Sequence, residues 1–184
     1  MRALALLLLV TAVSAEAQDA VDWRRVASDA DRARLREIRA AWMRGLATLP
    51  LAMRRDALFD PDRALPDVTP PYGTYRCRLH RLGGTPPAAM WQPCRIERDK
   101  TRQRFVVEGG GQRPAGHLYP DTGQRMVFLG SLVIGRERRV LPYGRDRLRD
   151  LGGVVERVGP ARWRLVIPAP RFGDAIDVIE LVPG

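Results

Sequence analysis

Gly153–Ile167 reads GVVERVGPARWRLVI. Two short runs rich in valine and other strand formers flank Gly159-Pro160-Ala161, and this pattern predicts a β-hairpin. Working outward, the same grammar recurs. Downstream, Ile176–Val182 predicts a final strand. Upstream, Arg125–Gly130 returns from a Pro120-Asp121-Thr122-Gly123 turn that follows His117 and Tyr119. Phe105 and Val107 alternate with Arg104 and Val106, and Cys94 and Ile96 alternate with Arg95 and Glu97. Tyr75, Cys77 and Leu79 alternate with Arg76, Arg78 and His80. Leu132–Ile134 and Arg138–Tyr143 are weaker candidates. Strands at intervals of about 8 to 12 residues, divided by Gly and Pro, are the signature of a sandwich or barrel. Short turns make the connections antiparallel. Met126-Val127-Phe128-Leu129 is apolar on both faces, so one face looks into the sheet core and the other needs a cover.

The cover is predicted at the other end of the chain. Ser28 precedes Asp29 and Asp31 as an N-cap precedes an acidic first turn. Leu35, Ile38, Trp42, Leu46 and Leu49 then recur at helical spacing, which predicts one helix over roughly 29–48, stopped by Pro50. Leu51–Phe59 predicts a shorter helical piece. The expected fold is therefore α+β: a long N-terminal helix packed on an antiparallel, lipocalin-like β-barrel of about eight strands. The expected organisation is a signal peptide over 1–17, a helical segment over 18–66 and a barrel over 67–184. Helix and barrel together form one structural domain.

The leader expectation rests on three features. Met1-Arg2 opens with a positive charge, Ala3–Val13 is almost wholly apolar, and Ala15-Glu16-Ala17 offers small residues where a signal peptidase reads. The apolar run is shorter than the roughly 20 residues a spanning helix needs. A periplasmic or secreted location follows, with no transmembrane segment in the mature chain. Nucleic acid is an unfit partner outside the cytoplasm. The formal net charge is +10, carried by arginines and a single lysine, Lys100. That balance suits an anionic envelope component, although mixed-sign runs such as Arg145-Asp146-Arg147 also read as an ordinary solvated surface. The chain's two cysteines, Cys77 and Cys94, predict a disulfide in an exported protein.

The chain offers little catalytic chemistry. It has no G-x-S-x-G elbow, and its two histidines are too few for a zinc site; no metal and no cofactor is implied. Gly109-Gly110-Gly111 lacks the lysine of a phosphate loop and reads as a flexible turn. His80 falls on the arginine face of its strand, toward solvent, whereas His117 shares a face with Tyr119 and reads as a buried imidazole or a cavity residue. Glu156, Asp177 and Glu180 are the strand-borne acids. A glutamate pointing into the barrel would need a cation, and Arg113, Arg145 and Arg157 are the candidate partners. An internal ion-pair network is the first reading, and a polar ligand cavity the second. Tyr143-Gly144-Arg145-Asp146 is a charged, aromatic loop of the kind that carries recognition on a rigid scaffold. The expected ligand-binding residues are Arg113, His117, Tyr119, Tyr143, Arg145, Asp146 and Glu156.

Several segments together carry a resemblance. They are Asp22-Trp23-Arg24, Leu58-Phe59-Asp60-Pro61, Tyr75-Arg76-Cys77-Arg78, Gln112-Arg113-Pro114 and Leu118-Tyr119-Pro120-Asp121. Met126–Gly130, Tyr143–Asp146, Arg162-Trp163-Arg164-Leu165 and Asp177–Leu181 complete the set. The chain resembles the domain of unknown function 4893 family, exported bacterial proteins of sphingomonad-type alphaproteobacteria, over nearly all of its mature length. The resemblance implies export and a single domain and supplies no mechanism. The functional expectation is a non-enzymatic binding module for a small apolar, amphiphilic or envelope-derived ligand. The alternatives are a periplasmic inhibitor of a protease or lysozyme, and a cell-wall-directed hydrolase acting through paired carboxylates.

Overall fold

The computed structural model describes residues 21–84, 90–170 and 175–184; the expected leader over 1–17 lies outside the described residues. Eight strands form one closed antiparallel barrel in sequence order. They are β1 (Gly73–Leu82), β2 (Gln92–Asp99), β3 (Arg102–Val107), β4 (Gln112–Thr122), β5 (Arg125–Ile134), β6 (Asp150–Gly159), β7 (Arg162–Pro168) and β8 (Ile176–Pro183). β8 pairs back on β1, with Leu79 beside Ile179. The weak candidate Leu132–Ile134 is the end of β5. Arg138–Tyr143 forms no strand and lies in the β5–β6 connection.

Alternation sorts the side chains as the pleat demands. Tyr75, Cys77, Ile96, Phe105, Leu118, Met126, Phe128, Val155, Trp163, Leu165 and Ile179 belong to one buried cluster inside the barrel. Gly116 and Gly130 are partners in the β4–β5 register. A Cβ on Gly116 would stand 2.3 Å from the Gly130 Cα, and one on Gly130 would stand 2.4 Å from Cζ of Phe128. Gly116 lets the two backbones approach, and the side chain missing at Gly130 makes room for the Phe128 ring, which meets Phe105 edge-on at 6.1 Å. Cys77 and Cys94 are bonded, with Cα atoms 5.9 Å apart, and face the same interior. The cavity beside Cys77 has a volume of about 40 Å³, far below the roughly 300 Å³ at which ligand pockets begin. The interior is thus filled with side chains, and the lipocalin-like outline is not upheld.

The single long helix is also corrected. Two short helices, α2 (Asp29–Arg36) and α3 (Ile38–Ala47), stand in its place, and a third, α1 (Trp23–Val26), precedes them. Ser28 caps α2, its Oγ accepting from the Asp31 amide at 3.1 Å. The break falls at Glu37, whose φ of −87° and ψ of 7° leave the helical region. Neither proline nor glycine stands there, so the cause is tertiary. A straight helix touches a curved wall at one place. Broken in two, the segment lays α2 on β6 and α3 on β1, β7 and β8. Trp42, Leu58 and Phe59 then bury Val154, Val166 and Val178 on the outer wall. Ala27, Trp23 and Val26 cover Val127 and Leu129, the outward half of the doubly apolar run. The helical piece expected over 51–59 is two 3₁₀ turns, Met53–Arg55 and Ala57–Phe59.

Candidate functional site

Beneath the helical cover a polar row crosses the outer wall. Arg78, Glu180, Arg164 and Glu156 are register neighbours across β1, β8, β7 and β6. Arg164 has 0% exposure. Its Nε and Nη2 donate to Glu156 Oε2 at 2.9 and 2.7 Å. Its remaining donors reach the carbonyls of Leu58 at 2.9 Å, Asp60 at 2.7 Å and Arg63 at 3.0 Å. This side chain ties the 57–63 segment to the barrel. Arg125 takes the other oxygen of Glu156 at 3.2 Å. Burial pushes the Glu180 carboxyl up, but His80, Arg78 and Arg162 outweigh it and hold the group down to about 2. The glutamates therefore face outward, because they share the parity of the covered positions. Their partners are Arg164, Arg125, Arg78 and Arg162, in place of Arg113, Arg145 and Arg157.

Two of those three arginines have other work. Arg113 donates to the carbonyls of Gly110, Gly135 and Glu137. Arg157 donates to the carbonyls of Gly159, Pro160 and Pro66. Arg145 is exposed in the β5–β6 connection. His80 is not at the solvent face that its arginine neighbours suggested. It meets Phe59 edge-on at 5.2 Å, with Nε2 3.5 Å from Glu180. Asp177 is the acid that does point inward. It sits at the barrel mouth, bound by Arg81 at 2.9 and 3.0 Å, and burial pushes its carboxyl up against that pull.

Tyr143 is drawn under α2. Its hydroxyl donates to Asp31 Oδ2 at 2.5 Å and accepts from the Ser28 amide at 2.9 Å. Burial first, and then the Asp31 bond, push the phenol up to about 12. Asp31 itself lies against Gly152, where a Cβ would stand 2.9 Å from its Oδ1. Asp146 is held by Arg149 at 3.2 Å. His117 projects from the outer wall of β4 to Asp99 at 2.8 Å. The expected residues thus do not converge. His117 and Tyr143 border one shallow surface groove, Tyr119 borders another, and Glu156 lies beneath the cover.

The model of a family described as a domain of unknown function, DUF4893, matches residues 23–181. The chain belongs to the DUF4893 family. No curated protein and no solved structure matches it. In this DUF4893 protein the matched span runs from α1 through β8, so cover and wall fall in one family unit. Among the described residues, no group of three or more His, Cys, Asp or Glu side chains is placed to hold a metal ion, and no helix is long and apolar enough to cross a membrane.

The DUF4893 wall is broken at one rim. The last β3–β4 partners are Gln103 and Leu118, yet β4 runs on to Thr122. Where β4 outruns β3 a basin of about 580 Å³ opens, floored by the buried Leu118, Met126 and Tyr119 and edged by the exposed Tyr72 and Pro120 and by Arg102. Arg102 lies over the Tyr119 ring at 5.3 Å. Gln103 donates to the Pro70 carbonyl at 2.7 Å and leaves its own Oε1 buried without a partner. Sequence reading found Tyr119 and missed the rest, because a basin made by unequal strand lengths has no local pattern.

Proposed function

We propose that this protein is an exported, non-enzymatic binding module and that its ligand is a small amphiphile with an acidic head. One observation carries the reading. The interior cavity beside Cys77 holds only about 40 Å³, whereas the rim basin holds about 580 Å³ with an apolar floor and a cationic edge. An acyl chain would lie over Leu118 and Met126, and its head would meet Arg102. The direct test is titration of the mature chain with laurate by calorimetry. Thr69→Trp fills the basin from an exposed position, and Arg102→Glu reverses the charge at its edge. Both variants should weaken laurate binding about tenfold or more, while uncharged dodecyl maltoside should distinguish Arg102→Glu little from wild type. Laurate affinity unchanged in both would overturn the assignment. N-terminal sequencing of the protein from the cell envelope should begin at Gln18.

A second reading, inhibition of a periplasmic protease or lysozyme, draws on the β5–β6 connection. Arg113, the Arg149–Glu137 pair and the Gly144–Asp150 hydrogen bond brace that loop, and Leu148 stands 71% exposed upon it. Rigid exposed loops suit blockade of an active-site cleft. Inhibition by wild type and its loss in Leu148→Asp would favour this reading.

A further inference from the structure

A groove of about 350 Å³ lies on the outer wall between the first helices and β5. Four arginines line it from three elements: Arg24 on α1, Arg32 and Arg36 on α2, and Arg125 on β5. Asp121 is the one carboxylate in the lining, and its Oδ1 is already taken by Trp23 Nε1 at 2.8 Å and Arg24 Nη2 at 3.1 Å. The floor is Leu35, Val127 and Val154. We propose that this groove is a binding site for a phosphate-bearing anion.

The arginines are placed rather than scattered. Arg32 donates to the Arg24 and Ala27 carbonyls at the end of α1 and pairs with Asp29, which fixes where its guanidinium stands. Arg24 lies over the Trp23 ring at 4.4 Å. Arg125 gives one nitrogen to Glu156, leaving other donors of its fork for a ligand. Arg36 makes no ion pair among the described residues, although it stands one helical turn from Arg32, where like charges repel. Asp22 and Asp121 already pair with Arg24, Asp29 with Arg32 and Glu156 with Arg125, so among the described residues Arg36 is the uncompensated charge of the groove. An anion joining it would also draw on donors the other three forks leave open, over an apolar floor that strengthens each contact. Guanidiniums carried on three separate elements suit a tetrahedral oxyanion, which accepts several forked donors at once; a planar carboxylate offers two oxygens. The groove shares no residue with the basin, so neither assignment rests on the other.

The phosphate could belong to a lipid head or to a free molecule, and two probes separate these. Mature protein would be titrated at low salt with inorganic pyrophosphate by calorimetry. In parallel it would be sedimented with phosphatidylglycerol vesicles against phosphatidylcholine vesicles. Arg36→Glu is the test variant. Arg55→Glu, at a position also exposed, on a 3₁₀ turn elsewhere, makes the same change in net charge. Binding of pyrophosphate assigns a soluble phosphate, and binding of phosphatidylglycerol alone assigns a lipid head. In either case Arg36→Glu should lose about tenfold in affinity and Arg55→Glu should stay within about twofold. Equal losses in the two variants would reduce the effect to net charge and overturn the site, as would binding of neither probe. Changes in laurate affinity bear on the basin alone.

Discussion

Arg164 is a cation shut off from solvent with a full set of protein partners. Burial pushes its guanidinium down, and Glu156 pushes it back up. Removing one member of such a pair costs about 3–5 kcal/mol, because the other charge and the freed carbonyls stay buried. Arg164→Met should therefore unfold early in urea. Pairing it with Glu156→Gln should recover part of the loss, and a double mutant no better than the single would contradict the account. Glu180 gives a pH signature. Its carboxyl is held below the ordinary value of 4.5, so the stability it contributes is present above that pH and lost as pH falls toward about 2. Glu180→Gln should accordingly be less stable than wild type at neutral pH, and the gap should close across that window. Asp150 runs the other way. Burial raises its carboxyl, and Oδ2 has no partner. Its ionised form is the unfavourable one, so its contribution is lost as pH rises through the raised value. Asp150→Asn should be more stable than wild type by about 1 kcal/mol at pH 7, with the advantage vanishing in acid. Chemical denaturation at a series of pH values checks both.

At the scale of elements, strands were legible and the helix was legible only as a stripe. Alternation in Tyr75–Leu79 or Phe105–Val107 reports which side chains share a face, and the pleat obeys it. The stripe from Leu35 to Leu49 reported a buried face equally well. Nothing in it could report that the wall beneath is curved, and the curvature makes Glu37 a break. Trp42 seats the cover on the wall, at 3% exposure and with the Arg164 guanidinium 5.0 Å from its ring. Trp42→Ala should cost about 3–5 kcal/mol, measured by thermal unfolding, while Met43→Ala, an exposed neighbour, should cost little. The parity of Glu156 and Glu180 was also readable. Which face is interior was not, because both faces of β6–β8 are buried, one by the barrel and one by the helices.

For the molecule as a whole, two staples hold different things: Arg164 ties the 57–63 segment to the outer wall, and a disulfide works inside the barrel. The Cys77–Cys94 bond joins neighbouring strands from inside, closing a separation of 17 residues. Its removal in Cys77→Ser/Cys94→Ser should lower stability by about 3 kcal/mol on loop-closure reasoning. Thiol labelling of unreduced, denatured protein should find no free sulfhydryl. The sites were the least legible part of the chain. The basin exists because β4 is longer than β3, and the arginine groove gathers residues 24 to 125 that share no spacing. Both arise from tertiary placement.

The seam between the first strand and the last has a further consequence in time. Leu79 cannot meet Ile179 until almost the whole chain exists, so ring closure depends on contacts of very large sequence separation. Such topologies fold in about milliseconds to seconds. A chain stopped at Pro170 would keep β1 and β7 as raw edges, ready to accept a strand from another copy. That truncated form should run as oligomers in size-exclusion chromatography, and adding the missing C-terminal peptide should return it to a monomer.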